Sequence, residues 1–179
     1  MSSDRLNPFS FVILVLVGNG GASPHDLRRS AGYGRVYWEA APSQWYAEPK
    51  RLARLGYLVA TKEPGRTRER MVYRLTDQGR DAVAGWVRTP TPLPRMQHES
   101  VVRLLAADIA DPLAVLEGLA ALRDEVDETR RHFDAARQVI DDFPGRAPYL
   151  RTNLRYAERL LALQLEWLEE AESVLREPR

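Results

Sequence analysis

The chain has 179 residues and a mass of 20.4 kDa, enough for one compact domain or two small ones. Hydrophobic residues make up 44% and charged residues 28%, which excludes wholesale disorder, and the absence of cysteine excludes disulfides, thiolate metal sites and cysteine nucleophiles together. The net charge of +1 conceals an asymmetry: residues 1–91 carry +6 and residues 92–179 carry −5, so a polyanionic partner is expected for the first half only.

The most apolar stretch, Phe9 to Val17, is far shorter than the ~20 residues of a membrane-spanning helix. No cluster of positive charge precedes it, so a soluble, cytoplasmic protein with no membrane partner is expected. Asn7-Pro8 predicts the start of that first helix, with an N-cap followed by proline, and Gly18 with Gly20-Gly21 predicts its end. Ser23-Pro24-His25-Asp26 repeats the start signal, with Asp26 placed as the acid of a capping box. Ser43 opens a third helix, which Gly56 would close in the left-handed conformation.

The period then changes. From Glu69 to Leu75 the odd positions Met71, Tyr73 and Leu75 are apolar, Arg70 and Arg74 alternate with them, and Val72 breaks the pattern. Residues 57–63 supply the partner strand and Pro64-Gly65-Arg66-Thr67 the loop. Thr76-Asp77-Gln78 caps a fourth helix running to about Val87. Three helices, a β-hairpin wing and a further helix thus fill residues 1–91.

Three prolines alternate with other residues in Arg88–Arg95, which reads as a stiff linker. The remainder, residues 92–179, is almost all helix, divided by Phe143-Pro-Gly-Arg-Ala-Pro148. Positions 119, 122, 126, 129, 133, 136 and 140 form one seam. In the last stretch Leu154, Leu161, Leu168 and Leu175 recur every seven residues, with Leu150, Ala157, Gln164 and Ala171 between them. Such seams predict two antiparallel helices. Because Leu160, Leu163, Leu165 and Trp167 add a second apolar face, a homodimer through the leucine seam is expected rather than a self-contained hairpin.

Catalytic chemistry has little to stand on. His25, His98 and His132 lie in separate elements without metal-ligand spacing, and no nucleophile elbow, phosphate loop or dinucleotide fingerprint is present. Neither an enzyme nor a cofactor or metal is expected. Double-stranded DNA is the better partner, because a three-helix core with a wing presents its third helix to a major groove. Gln44 suits adenine, Ser43 and Tyr46 reach bases or phosphates, and Lys50, Arg51 and Arg54 neutralise phosphates. Arg66, Arg68 and Arg70, at alternate positions on the wing, suit a phosphate rail or a minor-groove probe. Trp38, Tyr37 and Trp167 are candidates to line a pocket for an aromatic effector, although large aromatics are more often core.

Three segments carry a family resemblance: Trp38-Glu-Ala-Ala-Pro-Ser-Gln-Trp-Tyr46, Lys50-Arg-Leu-Ala-Arg-Leu-Gly-Tyr-Leu-Val59 and Val72-Tyr-Arg-Leu-Thr-Asp-Gln-Gly-Arg80. They resemble the PadR-like transcriptional regulators, across residues 9–88. The resemblance implies a mainly α protein: a winged helix-turn-helix domain (1–91) followed by a C-terminal antiparallel helical dimerisation domain (92–179). It also implies a homodimeric repressor on a pseudo-palindromic operator, released by a small aromatic or hydrophobic effector. One departure stands in the third helix, where Tyr46-Ala47-Glu48-Pro49 puts a proline inside. The helix either kinks there or begins its regular part near Pro49. The rival reading is a helical adaptor that binds a protein partner and no DNA.

Overall fold

The computed structural model describes residues 5–18, 20–32, 36, 38–65 and 69–177, with 31 and 32 described in the backbone alone. The chain divides into two compact units, Met1–Leu93 and Pro94–Arg179.

In the first unit α1 spans Pro8–Val17, α2 Pro24–Gly32, α3 Gln44–Arg54 and α4 Asp77–Trp86, with the antiparallel pair β1 (Leu58–Glu63) and β2 (Arg70–Leu75) between α3 and α4. The expected helix starts are present. Asn7 caps α1 reciprocally with Ser10, and Ser23 exchanges hydrogen bonds with Asp26 at the head of α2. Apolar side chains from every element meet in one core, led by Ile13, Leu14, Leu27, Trp45, Leu52 and Leu58. α3 runs unbroken from Gln44 with Pro49 inside it. Of the two expectations for this segment, the later start near Pro49 is not what the structure adopts. Pro49 is buried against the core, which offsets the missing hydrogen bond to Trp45.

The alternation expected in β2 fails at an instructive place. Val72 and Tyr73 are both buried while Met71 is exposed. The cause is a short third rung: the Ala22 N–H donates to the Tyr73 carbonyl at 3.0 Å and the Tyr73 N–H to the Ala22 carbonyl at 2.9 Å. The turn before α2 therefore covers the face on which Val72 lies, and a Cβ added to Gly21 would come within 3.2 Å of the valine. A single strand pattern carries no sign of a rung supplied 50 residues earlier.

The Thr76-Asp-Gln-Gly79 segment has a plain steric basis. The Thr76 hydroxyl accepts the Gly79 N–H at 3.1 Å and donates to the Gly56 carbonyl at 2.6 Å, where Gly56 (φ +83°) ends the turn after α3. This draws the head of α4 onto that turn so tightly that a Cβ at Gly79 would lie 2.2 Å from the Tyr57 carbonyl oxygen.

In the second unit α5 (Glu99–Leu105) and a 3-10 turn (Ala106–Asp108) precede α6 (Pro112–Ile140) and α7 (Ala147–Arg176). α5 was hidden within a stretch read only as helical. Arg123 faces Glu169 and Glu172, Arg137 faces Glu158, and Asp141 faces Arg151, a register that only an antiparallel pair can give. The expected α6 seam is inward: Leu119, Val126, Phe133, Ala136 and Ile140 are buried. One expectation must be corrected. Leu161, Leu168 and Leu175, assigned with Leu154 to a dimer contact, are buried within the single chain, and Leu154 is half-buried beside Ile140. The seam is spent on α6, so these leucines are not available to a second copy.

Replacing Gly79 with Ala should cost about 2–4 kcal/mol, because backbone rather than a flexible side chain blocks the new methyl. Chemical denaturation of G79A beside G85A, whose Cβ would meet open space, checks this; equal losses would refute it.

Candidate nucleic-acid interface

The exposed face of α3 follows from what the buried face needs. Trp45, Glu48, Pro49 and Leu52 point inward, which leaves Gln44, Tyr46, Ala47, Lys50 and Arg54 outward, with Ser43 just ahead of them. Phe9 of α1 meets Trp45 edge-on at 4.9 Å and lies parallel to Trp38 at 6.3 Å, so aromatic packing fixes the base of the helix.

Glu48 is a carboxylate in a nearly closed site. Its Oε1 accepts the Ser10 hydroxyl at 2.7 Å and Arg51 Nη2 at 2.7 Å, while its Oε2 accepts Arg51 Nε at 2.9 Å. Ser10 Oγ in turn accepts Arg51 Nη2 at 2.9 Å and the Asn7 N–H at 3.0 Å. Burial pushes the Glu48 carboxyl up, but the hydrogen bonds from Arg51 and Ser10 and the Arg51 charge outweigh it, and the net direction is below its ordinary 4.5. Arg51, expected on the phosphate face, is thus bound in a two-pronged pair whose side chains are 19% and 11% exposed. There it neutralises Glu48. The sequence reading missed this pair. The signals were a serine inside the apolar run 9–17 and a Glu–Arg spacing of three with the Glu on the apolar face.

The other expected contacts fall as follows. Ser43 makes no capping bond with its side chain and is exposed. Gln44 Oε1 accepts the Ala41 N–H at 3.2 Å, so two-point pairing with adenine requires that bond to open. Tyr46 is exposed, as are Lys50 and Arg54. Arg70 is half exposed at the loop end of the wing, opposite Glu63, its Nη1 3.3 Å from Asp26 Oδ2. Burial raises the Asp26 carboxyl, yet hydrogen bonds from Ser23 and the charges of Arg70 and Arg29 carry it below its ordinary 3.8. Arg66, Arg68 and Tyr37 lie outside the described residues.

Of the effector candidates, Trp38 is half-buried with an Nε1–H that is buried and has no hydrogen-bond partner among the described residues. Trp167 is half-buried beside the cluster of Leu119, Leu168 and Leu175, edge-on to His98 at 5.7 Å. A groove of about 260 Å³ between the end of α6 and the start of α7 is lined by Arg137, Ile140, Asp141, Arg151, Leu154, Arg155 and Glu158, and by neither tryptophan. Among the described residues no cluster of histidine and acid suits a metal, and no helix is long and apolar enough to cross a membrane.

Residues 96–176 match the family described as virulence activator alpha C-term. No curated protein matches the sequence. Three solved proteins share the fold. The PadR-like transcriptional regulator BC1756 from Bacillus cereus superposes with a TM-score of 0.78 at 15% identity, over 98% of this chain and 100% of the other. The Vibrio cholerae virulence activator AphA gives 0.71 at 22% identity, over 93% and 96%. Bacillus subtilis PadR in complex with operator DNA gives 0.64 at 18%, over 92% and 99%; the same protein with p-coumaric acid gives 0.59 at 19%, over 94% and 99%. The fold is that of the PadR-like regulators, a winged helix followed by a helical domain, as the sequence resemblance implies.

Glu48→Ala should destabilise the protein by about 3 kcal/mol by stranding Arg51. The depressed carboxyl contributes stability fully present above pH 4.5 and lost as pH falls through its folded value. Urea midpoints between pH 7 and pH 3 should therefore fall more for the wild type than for Glu48→Gln; parallel profiles would refute the assignment.

Proposed function

We propose that this chain is a DNA-binding transcriptional regulator, a homodimeric repressor whose paired α3 helices read an operator. The observation that carries the reading is the outward face of α3: Ser43, Gln44, Tyr46, Lys50 and Arg54 present polar and cationic groups where a winged helix meets the major groove. The solved B. subtilis relative in complex with operator DNA supports it. Lys50 and Arg54 from two heads would release counterions from four phosphates, a log–log salt slope near −3.6.

Dimerisation is placed on the outer stripe of α7 rather than the leucine seam. Tyr149, Asn153, Tyr156, Leu160, Leu163, Trp167, Glu170 and Val174 alternate three and four residues apart, and most are exposed. Laid antiparallel on its own copy, this stripe is self-complementary: Leu160 meets Leu163, Tyr156 meets Trp167, Asn153 meets Glu170 and Tyr149 meets Val174. The flanking Arg159 then falls beside Glu166. A two-fold contact requires such mutual pairing. An effector reading rests on Trp38, whose buried N–H lacks an acceptor among the described residues, and on the relative solved with p-coumaric acid. A bound carboxylate or phenol oxygen would satisfy it.

Anisotropy titration of the full chain on random duplex should give that slope, and Lys50→Gln with Arg54→Gln should reduce its magnitude to about 1 or less. A wild-type titration insensitive to salt would favour the adaptor reading instead. A reporter driven from a selected duplex should fall on expression; a rise would make the protein an activator. In sedimentation, Leu160→Glu with Leu163→Glu should yield monomer while circular dichroism stays helical. A persistent dimer would remove the stripe from the contact.

A further inference from the structure

Several cations of the winged unit have an acid within 4 Å, among them Arg29, whose Nη2 lies 3.8 Å from Asp26 Oδ1. Lys62 lies 3.8 Å from Glu69, Arg74 2.5 Å from Glu63, and Arg70 3.3 Å from Asp26. Lys50 and Arg54, on the outward face of α3, have no acid partner among the described residues. Lys62 and Arg74 thus pair with acids of the wing itself and Arg70 with an acid of α2, whereas the outward α3 face has no such acid among the described residues.

Asp26 differs from an ordinary surface acid. Its Oδ2 accepts both the Ser23 N–H at 3.1 Å and the Ser23 hydroxyl at 2.8 Å, and its own N–H donates back to Ser23 Oγ at 3.3 Å. The carboxylate is therefore fixed at the head of α2 by local structure, before any arginine approaches. Its position then determines where the Arg70 guanidinium rests. A half-exposed single-point pair of this kind is weak, about 0–1 kcal/mol, so a well-placed phosphate can displace it.

We propose that Asp26 is a built-in stand-in for a DNA phosphate, which occupies Arg70 on unspecific duplex and yields it only where bound DNA sets a phosphate beside the loop end of the wing. This makes Asp26 a specificity-determining residue, and it rests on the DNA-binding reading above. A fixed anion beside the wing lowers the sequence-independent attraction that every duplex exerts, while a correctly docked site recovers the contact.

The test uses the full chain on random duplex between 50 and 200 mM salt. Asp26→Asn keeps an oxygen for Ser23 but removes the charge. It should bind about fivefold tighter at 50 mM and steepen the slope by about 0.9 per head. Arg70→Gln alone should change binding less than about twofold, and in the Asp26→Asn background it should remove the gain. The proposal is overturned if Arg70→Gln alone weakens binding as much as Lys50→Gln, since Arg70 would then already touch phosphate. It is also overturned if the gain from Asp26→Asn survives without Arg70, since the effect would be general charge. Should Asp26→Asn unfold α2, the Arg70→Gln comparison still decides. Wild-type binding without salt dependence would instead overturn the DNA reading itself, and this proposal with it.

Discussion

A carboxylate buried inside α3 would be a liability on its own, and the setting of that helix follows from how Glu48 is satisfied. Its two oxygens take three hydrogen bonds from Arg51 and Ser10, so α3 is tied to the first turn of α1. Trp45, Pro49 and Leu52 would tolerate small rotations of α3, because apolar contact has no direction. The Ser10–Glu48–Arg51 network is complete in one rotation only. That rotation places Lys50 and Arg54 outward and withdraws Arg51.

Counting charge along a sequence therefore overstates what a polyanion meets. The +6 of residues 1–91 includes cations already committed to Glu48, Asp26, Glu63 and Glu69. Among the described residues Lys50 and Arg54 of α3 have no such partner, while the described cations of the wing each lie beside an acid.

The elements whose signals are local were legible in the sequence. Caps at Asn7, Ser23 and Thr76, the left-handed Gly56 and the break after α6 each reflect forces acting within a few residues. What was not legible depends on distant segments. Val72 is buried by a rung from Ala22, and Arg51 is claimed by a serine 41 positions earlier. The candidate site suffered more than the fold, because a side chain's availability depends on all its neighbours whereas its secondary structure depends on few.

α7 carries two heptad stripes displaced by one residue, so each outer position immediately precedes an inner one: 153 and 154, 160 and 161, 167 and 168. Spacing alone cannot choose between them, since turning the helix by about 100° exchanges one for the other. Composition chooses. The inner stripe holds leucine, alanine and one glutamine, whereas the outer stripe would bury Asn153 and Glu170 against the apolar flank of α6. Two polar side chains thus act as the key that keeps the helix from being ambidextrous. A descendant that lost both to leucine would hold two equivalent greasy faces and no longer know which one is home.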